Sequence, residues 1–224
     1  MRNPLVSKAL PNHTAEADLT RALEELVSSG ELRSIVTRLA GGNPSKLASL
    51  DAYQHPNGFV KIRLSSLPNG TILRMHLWPD HTNMGDIHSH RWDFASLIVD
   101  GSLLDMQYAS IGGSSQQSYR CYPNARARKY SFVAADPIEV HLVTDGLHHQ
   151  GSIYSQPMHR LHFATAGSGF PAITIVLQGP PQLDHSLVVV DRDLTPEDVV
   201  VSQLTVPQIR SAMEVVEEKL QYVG

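Results

Sequence analysis

The chain has 224 residues, a formal net charge of −4 with histidine neutral, 18% charged residues and one cysteine. This length can bury one sizeable core, and the absence of a basic run argues against nucleic acid or a membrane surface as partner. One cysteine excludes an intrachain disulfide and fits a reducing compartment. No apolar run reaches the roughly 18 residues of a membrane span, and residues 1–5 lack a signal-peptide core. We therefore expect a cytoplasmic protein.

Three helices are predicted in the first 56 residues, and we assign them a packing role only. Apolar residues at 3.6-residue spacing indicate the first two helices, and Gly30 between them suits a left-handed cap. Asn43 followed by Pro44 is typical of an N-cap with proline at the first helical position of the third helix. The predicted spans are 14–29, 31–40 and about 44–53.

From Phe59 onward the periodicity of apolar residues changes from 3.6 to 2, which indicates β-strands. Pro180-Pro181 is predicted to end the strand-rich region. Many short strands separated by turn residues are typical of a β-barrel or sandwich. Strands are predicted at 60–64, 71–78, 94–100, 102–109, 117–122, 129–134, 138–143, 157–165 and 171–178.

The C-terminal part returns to helical signals. Thr195 followed by proline and acidic residues suits a helix start, and Thr205 with Gln208 suits a capping box. The second of these helices has an apolar stripe, which is typical of core packing, with a contact in a homodimer as the alternative. The predicted organisation is one domain over 1–224, with helices in 1–56, a mainly β barrel in 57–190 and helices in 191–224. The stripe consists of Ile209, Met213, Val216 and Leu220.

Two histidines two residues apart, His88 and His90, are the strongest chemical signal in the sequence. Residues i and i+2 of a strand project to the same side, so the two imidazoles could bind one metal ion with bonds of roughly 2.0–2.1 Å. A third protein ligand is then needed. From the sequence alone four candidates stay open: Asp93, His141, His159 and His162.

Several motifs around these histidines resemble the cupin family of small double-stranded β-helix barrels. Gly85…His88-Ser-His90…Gly101 is similar to the first cupin motif, and Gly151…Pro157…His159 is similar to the second. Within the cupins the chain looks most like the cysteine dioxygenase-like thiol dioxygenases. Further segments carry this likeness: residues 18–26, 58–64, 158–161 and 173–181.

The resemblance implies a non-haem ferrous ion, Fe(II), held by His88, His90 and His159. The chain also differs from the thiol dioxygenases at several positions. Their Ser-x-His-x-Tyr relay corresponds here to Thr174, Val176 and Gln178. Their carboxylate-binding arginine corresponds to Lys61, a point charge without the two-pronged grip of arginine.

Four residues besides the ligands are predicted to act in the site. Lys61 and Arg63 share strand parity and could bind an anionic substrate. Tyr154 could present a hydroxyl near the metal, and Thr174 occupies the first relay position. For each residue the alternative is an ordinary structural role.

These observations predict a metal-dependent enzyme that uses Fe(II) and dioxygen to oxygenate a small thiol or another small chelating metabolite. One alternative is a lyase or isomerase that uses zinc, nickel or manganese as Lewis acid, because a set of histidines accepts several divalent metals. Another is a non-catalytic cupin that binds a small ligand. Nucleic acid and membrane partners are not expected.

Overall fold

The computed structural model describes residues 16–67, 69–79, 85–124, 128–167, 171–191, 194 and 199–223. Within these residues none of the helices is both long and apolar enough to cross a membrane. The helices are α1 (Glu16–Ser28), α2 (Glu31–Ala40), α3 (Pro44–Ala48) and α4 (Val206–Leu220).

The strands form two antiparallel sheets, one of seven strands and one of eight. The seven-stranded sheet has the order β10-β5-β12-β3-β2-β1-β15, and the eight-stranded sheet has the order β14-β8-β7-β13-β4-β11-β6-β9. The strand bounds are β1 (Ala52–Gln54), β2 (Val60–Ser66), β3 (Ile72–Trp78), β4 (Ile87–His88), β5 (Phe94–Asp100), β6 (Ser102–Ser110), β7 (Gln117–Asn124), β8 (Lys129–Ala134), β9 (Val140–His149), β10 (Ile153–Gln156), β11 (Leu161–Ala166), β12 (Ala172–Gln178), β13 (Ser186–Val190), β14 (Val199–Val200) and β15 (Ser202–Gln203).

The prediction of a mainly β architecture is confirmed, whereas the prediction of a closed barrel is wrong. In the described part of the chain, the edge strands β10 and β15 of one sheet pair with no edge strand of the other. Strand pairing therefore stays within each sheet, and the two sheets face each other across a cavity without joining into a barrel.

The helices pack on one face of the seven-stranded sheet and form the main hydrophobic core with it. Strand residues alternate between the two faces, so Met75, Leu97 and Ile175 point toward the helices and are completely or almost completely buried. All four residues of the α4 stripe are buried in this same core. The stripe therefore packs inside the protein, as its spacing predicted.

The local signals at helix ends are confirmed in three places. Gly30 adopts a left-handed φ of 72° between α1 and α2. The side chain of Asn43 accepts a hydrogen bond from the amide of Lys46 at 2.9 Å. The amide of Thr205 donates to Oε1 of Gln208 at 2.8 Å at the start of α4. The helix start predicted at Thr195 lies outside the described residues.

Five elements differ from the predictions. β9 runs on to His149, past the predicted end at residue 143, because these residues pair with β6. β10 was not predicted, and β11 begins at Leu161 instead of residue 157. β13 lies beyond Pro180-Pro181 and pairs with β4 and β7. The third helix ends at Ala48, and β1 follows it.

Candidate metal centre and substrate cavity

A cavity of about 500 Å³ lies between the two sheets. The inward faces of the sheets line it, and many of the lining side chains are polar or aromatic instead of aliphatic. On the seven-stranded sheet, Lys61, His76 and Thr174 occupy one row across β2, β3 and β12, since each is the register partner of the next. A volume in this range is typical of pockets for small organic ligands.

Three histidines of the eight-stranded side meet at the wall of this cavity. His88 ends β4, His90 follows two residues later, and His162 lies in β11 as the register partner of His88. Each offers one ring nitrogen, and these nitrogens lie within 4.8 Å of one another. Nε2 of His90 and Nε2 of His162 are 2.9 Å apart, a separation that fits two ligands of one ion with bonds of about 2.0–2.1 Å.

Hydrogen bonds fix which nitrogen two of the rings turn toward the centre. Nδ1–H of His162 donates to Oδ1 of Asp105 at 2.6 Å, and Nδ1–H of His88 donates to the backbone oxygen of Asp86 at 2.9 Å. Both rings therefore present Nε2 to the cavity. Metal-binding histidines commonly have this arrangement, because a hydrogen bond to the outer nitrogen sets the tautomer and the ring orientation.

The protonation states also suit a metal. Burial, followed by the nearby charge of His162, lowers the pKa of His88 to about 3 and the pKa of His90 well below its ordinary value. The imidazoles of His88 and His90 are thus neutral and have lone pairs available at neutral pH. Burial opposes the ionisation of Asp105, but hydrogen bonds from His162 and Gln107 leave its pKa below the ordinary value. Asp105 is therefore an ionised acceptor behind His162.

The third histidine of this cluster differs from the one that the family resemblance implied. His159 is exposed on a turn in which the amide of Arg160 donates to the oxygen of Pro157 at 3.1 Å. It does not line the cavity. Because β11 begins only after this turn, strand parity turns His162 inward and leaves His159 outside.

The two remaining candidates for a ligand have other partners. Oδ1 of Asp93 accepts a hydrogen bond from the amide of Met158 at 2.7 Å, which fastens the turn before β11. His141 is exposed on β9, and its Nε2 lies 3.0 Å from Oε1 of Glu139. Neither residue belongs to the group of three side chains that could hold a metal.

The two basic residues selected from the sequence both line the cavity. Lys61 is buried, and within the described residues its ammonium forms no hydrogen bond or ion pair; Nζ lies 6.0 Å from the ring centre of Trp92. Burial, followed by the charge of Arg74, lowers the pKa of Lys61 well below its ordinary value. Arg63 instead forms an ion pair with Asp51 at 2.7 Å. Of these two residues, Lys61 is the one whose side chain is left without an ion pair and can contact a ligand.

Tyr154 and Thr174 also lie on the cavity wall. The ring of Tyr154 stacks on His148 with centroids 4.1 Å apart, and burial raises the pKa of its phenol, which stays protonated. Oγ1 of Thr174 accepts a hydrogen bond from Nε1 of Trp78 at 3.2 Å. The structure thus brings both side chains to the cavity, and their catalytic roles stay predictions.

The other two positions that correspond to the relay differ in character. Val176 is an apolar part of the wall, and Oε1 of Gln178 accepts a hydrogen bond from Nε of Arg74 at 2.9 Å. Neither side chain has a group that titrates near neutral pH. In this strand the relay is replaced by a packed, hydrogen-bonded wall.

Sequence reasoning missed three contributors to the site. Asp105 behind His162 had one usable signal, namely a carboxylate in the otherwise apolar stretch 103–106. Tyr53 and Tyr130 come from opposite sheets, and their hydroxyl oxygens lie 3.1 Å apart in the cavity. No local pattern joins two tyrosines 77 residues apart, so only the folded chain reveals this pair.

No model of a known protein family matches the chain, and no curated protein matches it. Solved structures resemble it at low identity. Hydroxypropylphosphonic acid epoxidase from S. wedmorenis is 10% identical over 61% of this chain and 57% of its own, with a TM-score of 0.38. Drosophila melanogaster CENP-C bound to CAL1 is 8% identical over 67% and 98%, with a TM-score of 0.38.

A third similar structure is hydroquinone 1,2-dioxygenase PnpCD in complex with Cd²⁺ and 4-hydroxybenzonitrile, which is 11% identical over 54% of this chain and 64% of its own, with a TM-score of 0.35. The chain spans less than two thirds of the length of the epoxidase and dioxygenase chains that it matches. At these identities and TM-scores the matches assign neither a family nor an activity. The functional argument therefore rests on the site itself.

Proposed function

We propose that this chain is a metal-dependent enzyme whose centre consists of His88, His90 and His162. The observation that carries the proposal is the convergence of three imidazoles in a cavity, with the outer nitrogen of His162 bonded to the buried carboxylate of Asp105. A purely structural histidine cluster does not require its rings to face an open cavity. Three neutral ligands would leave the full charge of a divalent ion to attract a substrate.

The metal that we propose is Fe(II), with a small chelating metabolite and dioxygen as substrates. When bound, the ion would supply coordination positions for both of them. The chain contributes the rest: Lys61 binds an anionic end of the substrate, and Trp92 and Phe94 beside His90 limit the access of water. The protonated phenol of Tyr154 could donate a hydrogen bond to the substrate.

A small thiol is one member of this substrate class, and free cysteine is a poor one. The thiol dioxygenases that the sequence resembles use an imidazole and a phenol where this chain has Val176 and Gln178. The side-chain oxygen of Gln178 accepts a hydrogen bond from Arg74, and its amide has no proton that titrates near neutral pH, so it cannot act as an acid toward a substrate. We expect slow turnover of cysteine and better turnover of another chelating acid.

A different metal would give a different enzyme class. With zinc, nickel or manganese the same three histidines would support a lyase or isomerase step. A site that binds a ligand without turning it over is the third possibility. Metal content separates the last from the first two, and oxygen consumption separates the first two.

The deciding experiment compares the metal content of variants at His159 and His162, which lie three residues apart. Protein without a histidine tag is purified, and its metal content is measured by mass spectrometry for wild type, His162→Ala and His159→Ala. We expect about one ion per chain in the wild type and in His159→Ala, and loss of most of the metal in His162→Ala, because two imidazoles rarely retain a labile divalent ion. Full occupancy in His162→Ala would overturn the proposed centre.

Oxygen consumption by the iron-loaded protein then tests the chemistry. A panel of small thiols and other chelating acids is assayed in an oxygen electrode, with His162→Ala as the inactive control. Uptake that depends on both iron and substrate supports the dioxygenase. A protein that holds its metal but consumes no oxygen with any member of the panel would overturn the oxygenase assignment and favour the Lewis-acid alternative.

A further inference from the structure

The part of the cavity beside the three histidines is rich in aromatic rings. His55 stacks on Phe59 with ring centroids 4.5 Å apart and an interplanar angle of 13°, and Phe59 lies 4.3 Å from Trp78. His76 also approaches Phe59, at 4.7 Å. All four side chains line the cavity, so they form a continuous aromatic wall along one side of it.

Two phenols complete this compartment. The hydroxyl oxygens of Tyr53 and Tyr130 are 3.1 Å apart, and burial raises the pKa of both groups, so both stay protonated. Two hydroxyls carry two O–H donors, but the contact between them uses only one. The second donor is therefore available for an acceptor in the cavity.

A charged residue, Lys61, lies beside this wall. It follows Phe59 by two residues, and in the ladder it is the partner of His76, whose ring lies 4.7 Å from that of Phe59. Within the described residues its ammonium forms no hydrogen bond or ion pair. A cationic group therefore lies next to a flat aromatic surface, and the three histidines line the same cavity.

A three-carbon thiol would leave most of about 500 Å³ empty. An apolar chain without a ring would gain burial but no stacking, whereas a planar ring gains both, since offset or tilted ring pairs attract each other beyond the effect of burial. A negative charge on the ligand would neutralise Lys61. These requirements define one class of molecule, an organic acid that carries a planar ring.

We propose that the cavity is a binding site for a ring-bearing organic acid, with the ring against Phe59 and Trp78 and the acid group at Lys61. The inference rests on the proposed function in one respect, since it names the substrate class of the same site. It does not depend on the metal for binding. The aromatic wall, and not the metal centre, then determines which substrate fits.

The chain offers a built-in reporter for this site. It has two tryptophans, Trp78 and Trp92, and both line the cavity. Ligand binding to the metal-free protein is measured by their fluorescence with excitation at 295 nm and by calorimetry. The probes are 3-phenylpropionate, the ring-free acid propionate and the neutral ring compound 3-phenylpropanol. We expect 3-phenylpropionate to bind at least tenfold more tightly than either of the other two.

Two variants test the assignment of the ring subsite. Phe59→Leu keeps an apolar side chain and removes the ring, so it should weaken 3-phenylpropionate at least fivefold and leave propionate unchanged. Tyr130→Phe keeps the packing and removes one hydroxyl. This second variant provides the test if Phe59→Leu does not fold. In Tyr130→Phe we expect weaker binding of 3-(4-carboxyphenyl)propionate, whose second acid group can accept the phenol's hydrogen bond. The affinity for 3-phenylpropionate should not change.

Equal affinities for propionate and 3-phenylpropionate in the wild type would overturn this inference. Metal content measured on the protein as purified, before the metal is removed for the binding assay, keeps the two proposals apart. Protein that holds its metal but shows no preference for ring acids contradicts the substrate class alone. Protein that prefers ring acids but holds no metal supports the substrate class and contradicts the metal centre.

Discussion

The two faces of the seven-stranded sheet are equally hidden from solvent but differ in chemistry. On the face toward the helices, Met75, Leu97 and Ile175 are at most 1% exposed and pack in one apolar core. On the face toward the other sheet, Lys61, Arg74 and Gln178 are also buried, at 2 to 8% exposure. The need to bury apolar surface therefore does not explain the residue types on the inner face.

This difference is expected if the inner face binds a ligand at some cost to stability, as we propose. A buried cation without a partner disfavours folding, because its charged form loses hydration. Proteins commonly retain such groups where they bind or react with a ligand. The outer face, which packs against the helices, should therefore determine stability, and the inner face, which lines the cavity, should determine ligand binding.

The largest expected effect comes from adjacent residues on opposite faces of β12. Ile175→Ala should lower the free energy of unfolding by about 2–5 kcal/mol, since it opens a void in a dense core. Val176→Ala should lower it by less than about 1 kcal/mol, because its methyl groups border an existing cavity. Urea denaturation of both variants measures the comparison. Equal losses would show that the inner face is packed like the outer one.

The next effect concerns the residue behind the metal centre. Asp105→Asn removes the charged acceptor of the Nδ1–H of His162 and should weaken metal binding by about 10–100-fold. Gln107→Ala removes only the hydrogen bond from Nε2 of Gln107 to Oδ2 of Asp105, at 3.0 Å, and should have a smaller effect. Competition with a chelator of known affinity measures both. Unchanged affinity in Asp105→Asn would mean that the carboxylate has only a structural role.

Parity along the strands was sufficient to predict which residues share a face. Lys61 with Arg63, and Arg74 with His76, are adjacent on the inner face as the period of two requires. Parity does not say which face is the core, because both faces of β12 are buried and its sequence reads as a continuous apolar run. Here the helices decide, and they lie far away in the sequence.

The histidine cluster contains His162 and not His159 for a related reason. The motif resemblance selected His159, and a strand from residue 157 would have turned His162 away from it. The turn at 157–160 delays the start of β11 to Leu161, which resets the parity. The side chain of Asp93 fastens that turn from 65 residues earlier, a contact that local sequence does not reveal.

The smallest predicted effect tests the cost of the inner face directly. Lys61→Met keeps a long side chain and removes a buried charge, so it should raise the free energy of unfolding at pH 7 by about 0.5–2 kcal/mol, or Tm by a few degrees. Arg63→Met is the matched control on the same strand face. It removes the partner of Asp51 at 2.7 Å and should not stabilise the protein.

The gain from Lys61→Met should also depend on pH, in a direction that the burial of Lys61 fixes. The pKa of Lys61 is lower in the folded protein than in the unfolded chain, so between these two values the unfolded state binds more protons. Over that window the stability of the wild type relative to Lys61→Met rises with pH, and the advantage of the variant shrinks toward the unfolded pKa of about 10.4. Thermal unfolding of both proteins at pH 7 and pH 9.5 measures this. If Lys61→Met is no more stable than the wild type at pH 7, or if its stability gain is larger at pH 9.5, the surroundings already compensate the charge of Lys61. The difference in chemistry between the two faces would then carry no cost in stability.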